Sequence, residues 1–280
     1  MIDLSRISTN LERSAEGPWR AKSATPISYP DWGNQACFQV EDGSFWFRHR
    51  NACILEAMRQ FPPAGTVFDI GGGNGFVAKA IQDAGLDVAL VEPGAAGARN
   101  AVQRGLRSVV CATLEDAAFV PESMPAVGLF DVVEHIRDDR DFLARVRTLL
   151  VPNGRVYLTV PAYPALWSQE DVDAGHQRRY RRPALHDLLL QAGFTVEFLS
   201  GFFRFLLPAI LLVRSLPYRL GMAQSPAPSE RAGEMARQHV AQGRLTREVL
   251  RRLEQGELAA LRARHPLRHG ASWLLVASRA

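Results

Sequence analysis

Residues 67–75 read VFDIGGGNG and residues 88–92 read VALVE. Between them FVAKAIQDAG (76–85) carries apolar residues at helical spacing and stops on a glycine. A short apolar run entering glycines, a helix, and a second apolar run closed by a carboxylate is how an open α/β sheet begins. Gly71, Gly73 and Gly75 permit positive φ and keep side chains clear of a ligand lying on the backbone. The helix starting near Phe76 turns its free N–H groups toward the same place. Glu92 stands where a carboxylate can accept hydrogen bonds from both hydroxyls of a ribose.

The alternation continues downstream. AGARNAVQRG (96–105) reads as a helix, SVVCA (108–112) as a third strand and AVGLFDV (126–132) as a fourth. A helix over DRDFLARVRTLL (139–150) and a turn at VPNG (151–154) lead into a fifth strand, RVYLTVP (155–161). RPALHDLLLQAG (182–193) and FTVEFLSG (194–201) give another helix and a sixth strand, and SWLLVASR (272–279) a last one. Upstream, the spacing predicts a helix from Ser44 to Phe61, stopped by Pro62-Pro63. The expected fold class is α/β, with a seven-stranded, mainly parallel, Rossmann-like sheet and helices on both faces. The expected division is an N-terminal arm (1–43), a core (44–201), an apolar and helical insertion (202–270) and a last strand returning to the core (271–280).

Composition narrows the class. The chain has 280 residues, 47% of them apolar and 22% charged, which excludes a disordered tail or a collagen-like fibre. Cys37, Cys53 and Cys111 have no metal-ligand spacing and cannot all pair, so the sequence reads as metal-free and reducing, hence cytoplasmic. The net charge of +4 is modest, and no compact basic patch interleaves with aromatics, so no nucleic-acid partner is expected. The start MIDLSRISTNLERS lacks the apolar core of a secretory signal, and no apolar run reaches the roughly 18 residues of a spanning helix.

Together VFDIGGGNG, VALVEP (88–93), LFDVVEHIRDD (129–139) and LLVPNGRVYLTVPAY (149–163) resemble a class I S-adenosylmethionine-dependent methyltransferase of the bacterial type 11/type 12 small-molecule group. The resemblance implies S-adenosylmethionine as cofactor, bound at the loop of Gly71, Gly73 and Gly75 with its methionine arm against Gly71 and Gly73. It implies that Asp69 orients the loop and meets the amino group, that Glu92 holds the ribose, and that Thr113 and Leu114 flank the adenine. Asp131 would line the pocket near the reacting methyl. Thr113 departs from the acidic residue often found there, and Met124-Pro125 replaces the usual aromatic–Asp pair before the fourth strand.

Methyl transfer from a sulfonium is an in-line displacement, so alignment dominates and a base matters chiefly for a hydroxyl acceptor. His176, in DAGHQRRY (173–180), and His135, in DVVEHI, are the candidate catalytic residues. A loop-fixing role for His135 and a salt-bridged surface loop around His176 are the plain alternatives. Arg178, Arg179 and Tyr180 could clamp an anionic acceptor, and Tyr163 and Trp167, in PAYPALWS (161–168), could wall its pocket. In FWFRHRN (45–51), Phe45, Trp46 and Arg50 could stand at the mouth, though helix packing explains most of them.

FFRFLLPAILLVRSLPYRL (202–220) mixes apolar runs with Arg204, Arg214 and Arg219, suiting either a peripheral membrane contact or a protein seam such as a homodimer. The expected function is therefore methyl transfer to an oxygen or nitrogen of a small, anionic or lipid-linked molecule. An NAD(P)-dependent oxidoreductase is the alternative enzyme, since Gly73, Gly75 and Ala78 also fit G-x-G-x-x-A. A non-catalytic cofactor-binding module is the alternative without turnover.

Overall fold

In a computed structural model the described residues are 3–14, 17–22, 37–38, 40–222 and 244–279. The seven expected strands form at β3 (Val67–Ile70), β4 (Val88–Val91), β5 (Val109–Cys111), β6 (Met124–Phe130), β7 (Leu150–Pro161), β8 (Phe194–Phe202) and β9 (Ser272–Arg279). Among the described residues, however, the sheet has nine strands, because β1 (Leu11–Arg13) and β2 (Trp19–Ala21) precede these, and the order is β1-β2-β5-β4-β3-β6-β7-β9-β8. The extra pair comes from the N-terminal arm: β1 lies antiparallel to β2, which runs parallel to β5. Three-residue strands are too short to display a period of two, so the sequence pattern passes over them.

The centre of the sheet is parallel. Val67 pairs with Val88 on one side and Ala126 on the other, and β6 pairs in parallel with β7. β9 inserts antiparallel between β7 and β8. The turn expected at 151–154 lies inside β7 as an irregularity: Met124 pairs with Leu150, and the next pair is Ala126 with Arg155. Asn153 there takes φ 61°, a left-handed geometry that asparagine tolerates.

Strand alternation divides the core between two faces. Phe68, Ile70, Trp273 and Leu275 pack with helices α4 (Asp139–Leu149) and α6 (Arg182–Gln191). Val67, Leu274 and Val276 pack with α1 (Phe45–Gln60), α2 (Phe76–Asp83) and α3 (Ala95–Gln103). α1 is capped by Ser44, whose hydroxyl accepts from the Phe47 N–H at 3.4 Å. A short helix, α5 (Gln169–Ala174), follows β7.

Beyond β8 the chain turns sharply at Phe203, fully buried with φ 58°. Trp46 stacks on Phe203 at 3.9 Å, so this aromatic serves packing. Helical turns then run over Leu207–Ile210, Leu211–Ser215 (π-type) and Leu216–Arg219. Arg214 pairs with Glu170, and Arg219 donates to the Ala165 carbonyl, while Leu212, Val213, Leu220 and Met222 are exposed. The linker at 223–229 and the first part of the helical stripe, including Met235 and Val240, lie outside the described residues. The rest is α7 (Arg244–Arg262). Its buried Glu257 accepts from the Phe203 N–H at 2.8 Å and meets His49 Nε2 at 2.9 Å. Among the described residues no helix is long and apolar enough to cross a membrane.

Candidate functional site

Parallel strands deliver their carboxyl ends to one edge, and the sequence-predicted cofactor residues meet there. Residues 71–75 turn between β3 and α2; Gly71 N–H donates to the Val91 carbonyl at 2.7 Å and Gly75 N–H to the Gly72 carbonyl at 2.9 Å. Gly72 cannot carry a side chain, because a Cβ would lie 2.2 Å from Leu90 Cδ1 and 2.5 Å from Asp69 Oδ2. Gly75 caps α2 with φ 74°, where any other residue would be strained.

Two buried carboxyls sit beneath and beside this loop. Glu92 Oε2 accepts from Gly73 N–H at 2.9 Å and Oε1 from Gly94 N–H at 2.7 Å, which fixes the carboxylate yet leaves lone pairs on both oxygens. Burial pushes Glu92 up, against the pull of those two N–H groups. Asp69 is fully buried, and both of its carboxyl oxygens lack a hydrogen-bond partner. Burial raises its pKa from 3.8 to about 7, with Arg50 opposing the shift and Glu92 adding to it.

Asp131, at the end of β6, adopts φ 58° and is held from two sides. Arg50 Nη1 pairs with its Oδ2, and Thr159 Oγ1 donates to its Oδ1 at 3.0 Å. Arg50 comes from α1, which Asn51 ties to α2 by donating to the Phe76 carbonyl at 3.1 Å. Arg50 Nε is also buried without a partner. Thr113 and the buried Leu114 follow β5, with Thr113 Oγ1 accepting from the Asp116 N–H at 2.9 Å. The sequence pattern gave no hint of the brace over the loop's outer side: Asn74 donates to Glu41 at 3.2 Å, and Arg104 pairs with Glu41 at 2.7 Å. Those residues lie in an irregular stretch, and only their charges offered a signal.

The second half of the site lies past Asp131. Val133–His135 form a short 3-10 turn that buries Glu134 completely, and neither Glu134 oxygen has a partner. Burial pushes this carboxyl well above its usual value, and the neighbouring Asp131 pushes the same way. The rings of His135 and His176 meet edge to face with centroids 4.8 Å apart. Burial, and next the proximity of His176, lower His135 from 6.5 to about 4. The residue that sequence reasoning missed is Asp171: His176 Nδ1 lies 2.8 Å from its Oδ1. Burial pushes Asp171 up, but the bonds from His176, Arg179 and Ser168 outweigh it and leave the carboxyl below its usual value.

The basic residues of DAGHQRRY face inward. Arg179 donates to Asp171 at 2.7 Å, and Arg178 to Asp139 at 2.8 Å. Tyr180 is buried and also donates to Asp139 at 2.8 Å. Tyr163 is half-buried, with its hydroxyl 2.9 Å from His269 Nδ1, and Trp167 is half-buried beside it in the chain. The loop therefore unites His176 with His135 and Glu134, and directs Arg178 and Tyr180 to a separate carboxylate.

A family described as "Methyltransferase domain" matches residues 46–198, more than half of the chain. The chain belongs to this family. A Mycobacterium tuberculosis protein named as a probable S-adenosylmethionine-dependent methyltransferase is 24% identical over 191 residues, covering 67% of this chain and 69% of its own. The methyltransferase partner in a complex with the Haloferax volcanii Trm112 activator superposes with a TM-score of 0.55 at 15% identity, covering 89% of this chain and 96% of its own. A Thermotoga maritima S-adenosylmethionine-dependent methyltransferase gives 0.52 at 16% identity, covering 89% and 95%. This methyltransferase is a class I, S-adenosylmethionine-dependent enzyme on a Rossmann-like sheet.

The residues present fit that cofactor. Its ammonium and carboxylate call for an acid and a base beside the glycine loop, and Asp69 and Arg50 offer unpartnered atoms of both signs there. Its ribose calls for an acceptor pair, and Glu92 keeps free lone pairs on both oxygens.

Proposed function

We propose that this methyltransferase methylates an oxygen or nitrogen of a small acceptor that enters on the His135–His176 side. S-Adenosylmethionine supplies a methyl group on a sulfonium. The chain's own part is to hold and to align. Asp69 and Arg50 take the charged methionine arm over Gly71–Gly75, Glu92 takes the ribose hydroxyls, Thr113 and Leu114 flank the adenine, and Asp131 lines the methyl end. Tyr163 and Trp167 wall the acceptor side.

The observation that carries this reading is the His176–Asp171 pair. With Nδ1 facing a buried carboxylate at 2.8 Å, the ring is held in place and Nε2 is left to meet an acceptor. A hydroxyl or ammonium acceptor can then lose its proton to Nε2, a contribution of about 10²–10⁴-fold. Arg178 and Arg179 already face Asp139 and Asp171, so an anionic acceptor would compete with internal carboxylates for them. Incubating the protein with labelled methyl donor and a lysate split into lipid, sugar-nucleotide and RNA fractions tests the acceptor class. Label is expected in a small-molecule or lipid fraction, and label in RNA alone refutes the proposal.

A lipid-linked acceptor met at a membrane surface is the second reading. It is favoured by the exposed Leu212, Val213, Leu220 and Met222, on a segment tied by Arg214 and Arg219 to residues just after β7. Flotation with anionic liposomes is expected to be lost on replacing Leu211 and Leu212 with Ser. A concentration-dependent dimer without flotation would favour a protein seam instead.

A further inference from the structure

We propose that Glu134, His135 and His176 form a binding site for one divalent transition-metal cation. The cysteine spacings pointed to no metal, and His176 lies far along the chain from the adjacent Glu134 and His135, but the fold brings one ligand atom of each within 4.8 Å of the others. Two imidazoles and a carboxylate are a donor set for Zn²⁺, Co²⁺, Mn²⁺ or Fe²⁺.

Two further observations point to an ion. Glu134 is fully buried with both oxygens unpartnered, a state that is costly unless a cation or a proton answers it. His176 already has the outer contact typical of a metal ligand: its Nδ1 lies 2.8 Å from Asp171, which fixes the tautomer and aims Nε2 inward. Asp171 in turn is held by Arg179 and by the Ser168 N–H, at 2.7 and 2.8 Å. A single ion with bonds of about 2.0–2.2 Å keeps its ligand atoms about 3–3.5 Å apart. Loading the site therefore draws the three side chains inward by about an ångström, within the reach of χ rotation.

Three protein ligands leave at least one coordination position open to an added ligand. An acceptor oxygen bound there would be polarised by the ion. In the loaded site Nε2 of His176 is a ligand, and the ion takes over from the imidazole as the activating group. This inference rests on the acceptor-side reading, but its test needs neither acceptor nor cofactor.

Full-length protein freed of metal with a chelator is titrated with Co²⁺, followed by visible absorbance, and with Zn²⁺ by calorimetry. One equivalent should bind, with d–d bands and no thiolate charge-transfer band. Glu134→Gln and His176→Ala should each weaken binding by about 100-fold, while His265→Ala, at an exposed position, should not. Each variant is checked for S-adenosylmethionine binding, which reports folding and the cofactor pocket independently. Should the variants fail that check, wild-type protein loaded with Cu²⁺ must show hyperfine splitting from two imidazole nitrogens. No saturable cation binding below about 100 μM, binding indifferent to both variants, or a copper spectrum with fewer than two imidazole nitrogens would each overturn the site. Absence of the ion with cofactor binding intact leaves the methyl-transfer reading standing.

Discussion

Asp69→Asn should make the cofactor-free protein less sensitive to pH while weakening its grip on cofactor. A carboxyl raised from 3.8 to about 7 binds its proton more tightly in the folded chain than in the unfolded one. Its contribution to stability is complete below 3.8 and is lost as pH rises through about 7, because ionisation then occurs in a fully buried site where desolvation outweighs the help of Arg50. Between about pH 5 and about pH 8, linkage gives a loss of about 2–3 kcal/mol from this residue. Asparagine does not titrate, so the stability of the variant relative to wild type should climb by that amount over the same interval. Glu92 and Glu134 are also raised, but they are present in both proteins and largely cancel in the difference. The assay is urea unfolding of both proteins without cofactor at the two pH values, with S-adenosylmethionine affinity measured alongside. Affinity should fall about 10- to 100-fold, as for a lost hydrogen bond to a charged group of about 1.5–3 kcal/mol. A stability difference that is the same at both pH values would refute the reasoning about Asp69.

Glu92→Gln puts an amide N–H against either Gly73 N–H or Gly94 N–H, so cofactor affinity by calorimetry should drop about tenfold or more. His176→Ala should lower kcat by about 10²–10⁴-fold with cofactor affinity unchanged; equal loss in both would mean the histidine serves only packing. Gly72→Ala drives a methyl into Asp69 and Leu90 and should cost about 1–3 kcal/mol in denaturant unfolding. Glu257→Ala releases the Phe203 N–H and His49 together; a loss of about 2–4 kcal/mol is expected, and an unchanged melting temperature would show that the anchor is idle.

Much of this molecule was legible in its sequence because its centre is built from long, periodic elements. SWLLVASR at 272–279 is a strand with the same bounds in the structure, and the helix expected from Ser44 to Phe61 spans Phe45–Gln60. The strand-end residues Asp69, Glu92 and Asp131 converge because parallel strands must end together. What was illegible has no period. β1 and β2 are three-residue strands, and the irregularity at 151–154 resembles an ordinary turn. Asp171 was hidden for another reason: its partners, His176 and Arg179, lie across a loop whose closure depends on tertiary packing. The Glu134–His135–His176 cluster needed two loops, after β6 and after α5, to be placed together in space.

His49 and Arg50 are neighbours on α1 yet act on different bodies: His49 meets Glu257 of α7, and Arg50 reaches Asp131. One turn of helix thus has the insertion on one side and the carboxyl edge of the sheet on the other. Adjacent positions on one helix tie the pin under the insertion to the guanidinium that steadies Asp131, so the two anchors share a single rigid support.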